Sequence, residues 1–213
     1  MTPQQPMPPF KALFITGGTG TGRRTAAKII AEGAMGLRPC VVDAFYFELR
    51  ERCHAAYKLF DAQRLPAPAN YFDEQLDVPS NYFGGKTPRY AYSKFARFVN
   101  DAMGPDAPGL WVTQRLTYYR KLQEKMEPEK RVRAVIIFDD APTPSYEAVV
   151  KYIGAEHCSQ LLVRRDGTVS LAVDLPGVRK SEVKNPGDTI AGFETAIRKA
   201  APHLFIEIVT TLP

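Results

Sequence analysis

Phe10–Thr25 reads FKALFITGGTGTGRRT. The apolar run Ala12, Leu13, Phe14, Ile15 enters glycines at 17, 18, 20 and 22, and Arg23, Arg24 and Thr25 then open a helix. Strand, glycine-rich turn and helix N-terminus together make a phosphate cradle. Glycines let backbone N–H groups approach phosphate oxygens, and the helix dipole favours the anion there. Against the usual pattern GxxxxGK[ST], Arg23 stands at the lysine and Arg24 at the hydroxyl residue. The candidate phosphate-binding residues are Gly17, Gly18, Thr19, Gly20, Thr21, Gly22, Arg23, Arg24 and Thr25. Arginine keeps a fixed charge and can hold phosphate in bidentate fashion, but it is bulkier and planar. Two readings stay open for Arg23: it does the lysine's work in a reshaped loop, or the site binds nucleotide and turns over slowly.

Working outward, residues 1–9 read as a proline-rich tail and 10–16 as the first strand. A helix is expected over 23–34, a short buried strand over 39–43 and a helix over 44–60. Residues 61–87, broken by Pro66, Pro68, Pro79, Gly84 and Gly85 and carrying Tyr71, Phe72, Tyr82 and Phe83, read as a long substrate-side loop. Helices follow over 88–103 and 110–126, then the central strand 133–138 and a helix around 145–153. Strands 159–164 and 168–173 read as a hairpin about Asp166-Gly167, within a hairpin or loop insertion over 165–187, with 174–187 polar loop. A helix over 188–201 and a last strand over 204–210 close the chain. Alternating strands and helices predict an α/β sandwich with a mostly parallel sheet. A single domain over 10–213 is the simplest division.

Composition narrows the partners. The chain has 213 residues, 45% hydrophobic and 24% charged, with net charge +5 from 28 basic and 23 acidic side chains. That excess suits phosphorylated ligands and falls short of the basic stripe of a dedicated nucleic-acid binder. Cys40, Cys53 and Cys158 show no CxxC spacing, which predicts reduced thiols in a cytoplasmic setting and argues against zinc. TPQQPMPP has no apolar core for a signal peptide, and no apolar run approaches membrane-spanning length. The sequence leaves a homodimer open.

Other candidates surround the loop. Asp139 and Asp140 end the central strand, where open α/β sheets place ligand chemistry, and with Thr25 they form the candidate metal site. On the helix from Thr87, Arg89, Lys94 and Arg97 share one face, opposite Ala91, Tyr92, Phe95, Phe98, Val99 and Ala102. On the next helix, Arg115 falls in the middle of an apolar arc of Trp111, Val112, Leu116, Tyr118, Tyr119, Leu122 and Met126, so it snorkels, pairs, or reaches a ligand. His54, His157 and His203 match no metal motif and read as structural or surface residues. The basic and aromatic stretch 82–97 also admits single-strand nucleic-acid binding.

Several segments together resemble one family. GGTGTGRRT looks like the adenylate-kinase form of the loop, GGxGSGKGT, with arginine for lysine. KTPRYAYSKFARFVNDAMGPDAPGLWVTQRL resembles the phage deoxynucleoside monophosphate kinase pattern, in which TPR opens one helix and a WV pair the next. AVIIFDDAPTPSYEAVVKYIGAEHCSQLLVRRDG resembles that family's VVxxDVRFPNEAxxIRxLGGxxxRVxRPG. The likeness runs over about residues 10–167. It implies a three-layer, adenylate-kinase-like P-loop fold and transfer of the γ-phosphoryl of ATP, with Mg²⁺, to a (deoxy)nucleoside monophosphate in a cytoplasm (the host's, if phage-encoded). It implies ATP phosphates on Gly17–Thr25, the monophosphate facing Arg89 and Asp43, and a metal at Asp139; the basic face adds Lys94 and Arg97, and with Trp111 these complete the candidate substrate-binding residues. Arg23, Arg89 and Arg115 are the candidate catalytic cations. The departures concern charge: the lysine of the family's FADPLK segment falls on Tyr46, and the arginine of DVRFPNE on Ala141. A nucleotide-binding relative with reduced turnover and a regulatory or partner-binding role is the alternative.

Overall fold

A computed structural model describes residues 10–34, 40–43, 45–60, 67–127, 134–139, 143–168 and 173–206. The first strand, β1 (Phe10–Thr16), is buried on both faces, as its near-continuous apolar sequence requires of a central parallel strand. Helix α1 (Arg23–Ala34) follows the glycine loop, then β2 (Cys40–Asp43) and α2 (Phe45–Ala56). Two single helical turns, Asp73–Gln75 and Asn81–Phe83, precede α3 (Pro88–Met103) and α4 (Ala107–Glu124). The rest is β3 (Ala134–Phe138), α5 (Thr143–Ile153), β4 (Cys158–Arg164), β5 (Arg179–Lys184), α6 (Ile190–Ala200) and α7 (His203–Ile206).

The strands form one five-stranded sheet in the order β2-β3-β1-β4-β5, every pair parallel. The class is therefore α/β, with a parallel sheet flanked by helices. On one face Leu13, Ile15, Ile137, Leu161, Val163 and Val183 pack with Ala26, Ala27 and Ile30 of α1 and Phe193 and Ile197 of α6. On β1 and β3 the alternate residues Phe14 and Phe138 stack at 5.6 Å.

Contacts divide the chain into two compact units. The first is Met1–Asp43, Arg115–Asp140 and Val150–Pro213, which holds the whole sheet. The second is Ala44–Gln114 with Ala141–Val149. Its core joins Cys53 of α2 and Ala91 and Tyr92 of α3 to Leu59, Ala67, Phe72 and Phe83. The described part of the expected 61–87 loop, from 67 onward, is thus anchored by its own apolar residues, and 61–66 lie outside the described residues.

Three expectations are corrected. β4 pairs in parallel with β1 on one edge and with β5 on the other, and residues 169–172 of the expected 159–173 hairpin lie outside the described residues. This second partner comes from the expected polar loop: β5 reads RKSEVK, with Val183 its one buried residue. It is a charged edge strand of the kind that resists further pairing, held by Arg164–Glu182 at 2.8 Å and Lys184–Asp166 at 2.8 Å. The expected last strand begins as helix α7, because Pro202 favours a helical start and Phe205 is buried beside α1. The third concerns faces. Phe98 and Ala102 on α3 are exposed, as are Tyr118, Tyr119 and Leu122 on α4 and Met126 just after it, so both apolar arcs are only partly covered. No helix among the described residues is long and apolar enough to cross a membrane.

Candidate functional site

Parallel order decides where a site can form. The β1–β2 connection passes over β3, and the β3–β4 connection passes back over β1. Connections leaving neighbouring strands in opposite directions open a crevice at their carboxyl ends. The neighbours here are β1 and β3, and their ends carry the glycine loop and Asp139.

The loop is shaped by close approaches. Gly17 has φ +144°, and a Cβ there would lie 2.3 Å from the Val163 carbonyl oxygen and 2.9 Å from Thr21 Oγ1. Gly22 has φ +98°, and its Cβ would meet Asn185 Nδ2 at 2.5 Å. Only glycine tolerates both the left-handed backbone and these distances. The loop carbonyls have donors. Thr21 Oγ1 donates to Gly18 O at 2.9 Å, Asn185 Nδ2 to Thr21 O at 2.8 Å and Ala26 N to Gly22 O at 2.9 Å. The N–H groups of Thr19, Gly20 and Gly22 donate to no backbone carbonyl among the described residues. Carbonyls used inward with amides left over is what an anion cradle needs.

Asn185 is the residue sequence reading missed. Its backbone N–H donates to Arg164 O at 2.7 Å, and its side-chain oxygen accepts from Gly187 N at 3.0 Å. It pins the end of β5 to β4 and to the glycine loop at once. The signal available was the turn sequence Asn185-Pro186-Gly187, which lay inside the stretch read as loop. Beyond it opens a cleft of about 630 Å³, lined by Asp166, Lys184, Pro186, Asp188, Thr189 and Lys199 among others.

Asp139 is the buried charge of the site, at 4% exposure. Arg24 Nε lies 3.5 Å from its Oδ2, while the Arg24 side chain stays 61% exposed. Asp139 Oδ1 is buried without a hydrogen bond. Arg23 and Thr25 are half-buried on the first turn of α1. Below the loop, Gln160 Nε2 donates to Thr16 Oγ1 at 3.0 Å and to Val173 O at 2.9 Å.

A divalent cation at such a strand end fits poorly with these donors. The position that offers a hydroxyl in the usual pattern offers the cation Arg24, and that cation already faces the one buried carboxylate. Among the described residues no three His, Cys, Asp or Glu side chains group together, and Asp140 lies outside them.

The other expected residues are divided between the two units. Asp43 ends β2 at the carboxyl edge of the same sheet, paired in register with Phe138. Arg115, on the first unit's part of α4, is half-buried, and burial pushes its pKa down. Arg89, Lys94, Arg97 and Trp111 belong to the second unit. There Arg89 grips Asp77 with Nε and Nη2 at 2.7 and 2.8 Å. Arg97 pairs with Asp101 at 3.8 Å, Lys94 lies over the Tyr90 ring, and Trp111 carries the Arg52 guanidinium at 4.2 Å. Of the loop aromatics, Phe72 and Phe83 are core, while Tyr71 and Tyr82 are exposed.

His54 keeps its structural reading. It is fully buried, with Nδ1 2.7 Å from Ala67 O and Nε2 2.7 Å from the Tyr92 hydroxyl. Burial pushes its pKa down, so the ring is neutral, Nδ1–H donates to the carbonyl and Nε2 accepts from the phenol. Burial raises the Tyr92 pKa to about 12, which keeps that phenol a donor.

No protein-family model matches the chain, and no curated protein matches it.

Proposed function

We propose that the first unit binds the phosphates of ATP on Gly17–Thr25, and that the chain is a P-loop kinase moving a phosphoryl group to a (deoxy)nucleoside monophosphate. One observation carries the reading. A glycine loop with unused amides and a helix N-terminus stands beside a buried carboxylate at the crevice between β1 and β3. The strand order differs from the 3-2-1-4-5-6 order of dinucleotide-binding parallel sheets. The resemblance to the adenylate-kinase form supplies the finer assignment, a three-layer P-loop sandwich.

The chemistry asked of the protein is positioning and charge cover. The loop amides orient the polyphosphate, and Arg23 lies over it in the lysine's place. The cleft beyond Asn185 has room for a nucleoside. The acceptor would draw on Arg89, Lys94, Arg97 and Trp111. Buried, free thiols at Cys53 and Cys158, each with its pKa raised by burial to about 12, suit a reducing cytoplasm.

A second reading, nucleotide binding with reduced turnover, has its own support: Arg89 is clamped in bidentate fashion by Asp77. Coupled ADP release with each dNMP and NMP separates the two. Turnover with one of them is expected from the kinase. ATP binding by calorimetry without product selects the second reading, and absence of both sinks the site. Arg23→Lys adds direction: a strong rise in activity marks Arg23 as a handicap, and collapse marks a loop rebuilt around arginine.

A further inference from the structure

We propose that Arg24 replaces the divalent cation at this site, so that polyphosphate binds the glycine loop without magnesium. The inference rests on the phosphate-loop reading above. Both loop patterns that the sequence is compared with carry a small neutral residue at this position, a hydroxyl or a glycine. Either leaves the carboxylate at the neighbouring strand end to be balanced by a metal ion. Here the balancing charge is covalently attached. Arg24 Nε lies 3.5 Å from Asp139 Oδ2, and Asp139 is 4% exposed, so water screens the pair weakly from the carboxylate side.

The guanidinium geometry makes the substitution workable. Arginine has five donors in a rigid plane, and one edge directed at a carboxylate leaves others for a phosphate. The exposed Arg24 side chain, 61% accessible, keeps those remaining donors on the solvent side of Asp139. The first turn of α1 carries Arg23 and Arg24 and no acidic residue. Arg23 covers the phosphates while Arg24 bridges carboxylate to phosphate, the two tasks that a lysine and a metal ion divide in the usual loop. Asp139 Oδ1, buried without a hydrogen bond, is where a competing divalent ion would have to enter, within reach of the guanidinium's repulsion.

The test is calorimetric titration of the full chain with sodium tripolyphosphate, in EDTA and then in excess Mg²⁺. The wild type is expected to bind in both, with Kd changed less than about threefold by the metal. Arg24→Gln, which removes the charge and keeps helix propensity, is expected to lose about tenfold or more in EDTA and to recover with Mg²⁺. Lys28→Gln, an equal loss of charge on the exposed side of the same helix, is expected to show no such magnesium dependence. Mn²⁺ electron paramagnetic resonance gives an independent reading: the ion is expected to bind Arg24→Gln with tripolyphosphate more tightly than wild type. Wild-type binding that appears only with Mg²⁺, or Mn²⁺ affinity equal in the two proteins, overturns the inference and leaves the phosphate loop standing. No tripolyphosphate binding under any condition, in a chain with a normal unfolding transition, overturns the loop reading itself.

Discussion

His54 in the second unit and Asp139 in the first are both buried polar residues, at 0% and 4% exposure, and they are completed differently. Both ring nitrogens of His54 have partners at 2.7 Å, and the ring is tilted against Tyr92 and edge-on to Phe72. Asp139 has one oxygen beside an arginine and one with nothing. A buried polar group left unsatisfied costs about 1–3 kcal/mol, so each one calls for a physical reason. By that criterion the histidine is completed within its own unit, and one oxygen of the carboxylate is not. The glycine loop falls on the carboxylate's side of the comparison, since its amides are left over too.

The largest expected effect comes from closing the loop's approach to the sheet. Gly17→Ala places a methyl 2.3 Å from the Val163 carbonyl oxygen in a backbone conformation that alanine resists. It is expected to lower unfolding free energy by about 3 kcal/mol or more and to abolish tripolyphosphate binding. Urea unfolding reads the first and calorimetry the second. A loss below about 1 kcal/mol would mean that the loop yields easily, and the contrast between a rigid cradle and its unfilled donors would fail.

His54→Asn tests the other side. The shorter side chain cannot span Ala67 and Tyr92, so a loss of about 2–3 kcal/mol is expected, with tripolyphosphate binding unchanged. The pH dependence has a definite sign. Burial lowers the folded-state pKa of His54 from 6.5, so the unfolded chain takes up the proton first as pH falls. The contribution is fully present above about pH 6.5 and is lost as pH falls from there toward the depressed value. The wild-type melting temperature should therefore drop more between pH 7 and pH 5.5 than that of His54→Asn. Equal slopes in the two proteins would place the histidine in a solvated or charged setting instead.

The sequence made some of this legible and hid the rest for physical reasons. β1 and β3 were plain because a central parallel strand is apolar on both faces, and the glycine loop was plain because its φ values and close approaches admit few other residues. β5 was hidden because an edge strand needs only one buried side chain and carries charges that look like loop. Asn185 was hidden with it, since its value lies in a bond to Thr21, far away in sequence. Angular arithmetic placed Arg89 and Arg97 on an exposed face but could not show Asp77, which arrives from the preceding turn. It also overstated the apolar arcs, because a periodic face says which side can be buried, and the neighbours decide how far.

Arg89 carries the smallest expected effect and the sharpest question about the second unit. Its bond with Asp77 is bidentate yet fully exposed, with side chains 61% and 71% accessible. The guanidinium holds the Asp77 carboxyl below the ordinary range, but water and salt screen such a pair. Asp77→Asn is therefore expected to leave the unfolding midpoint unchanged within error. It frees the fork that grips carboxylates and phosphates in bidentate fashion, so calorimetry with a dNMP should show tighter binding if Arg89 faces the acceptor phosphate. Unchanged dNMP affinity in Asp77→Asn, together with unchanged affinity in Arg89→Gln, would remove Arg89 from the acceptor site. The pair would then be a surface contact, and the comparison between completed and incomplete charges would narrow to Asp139.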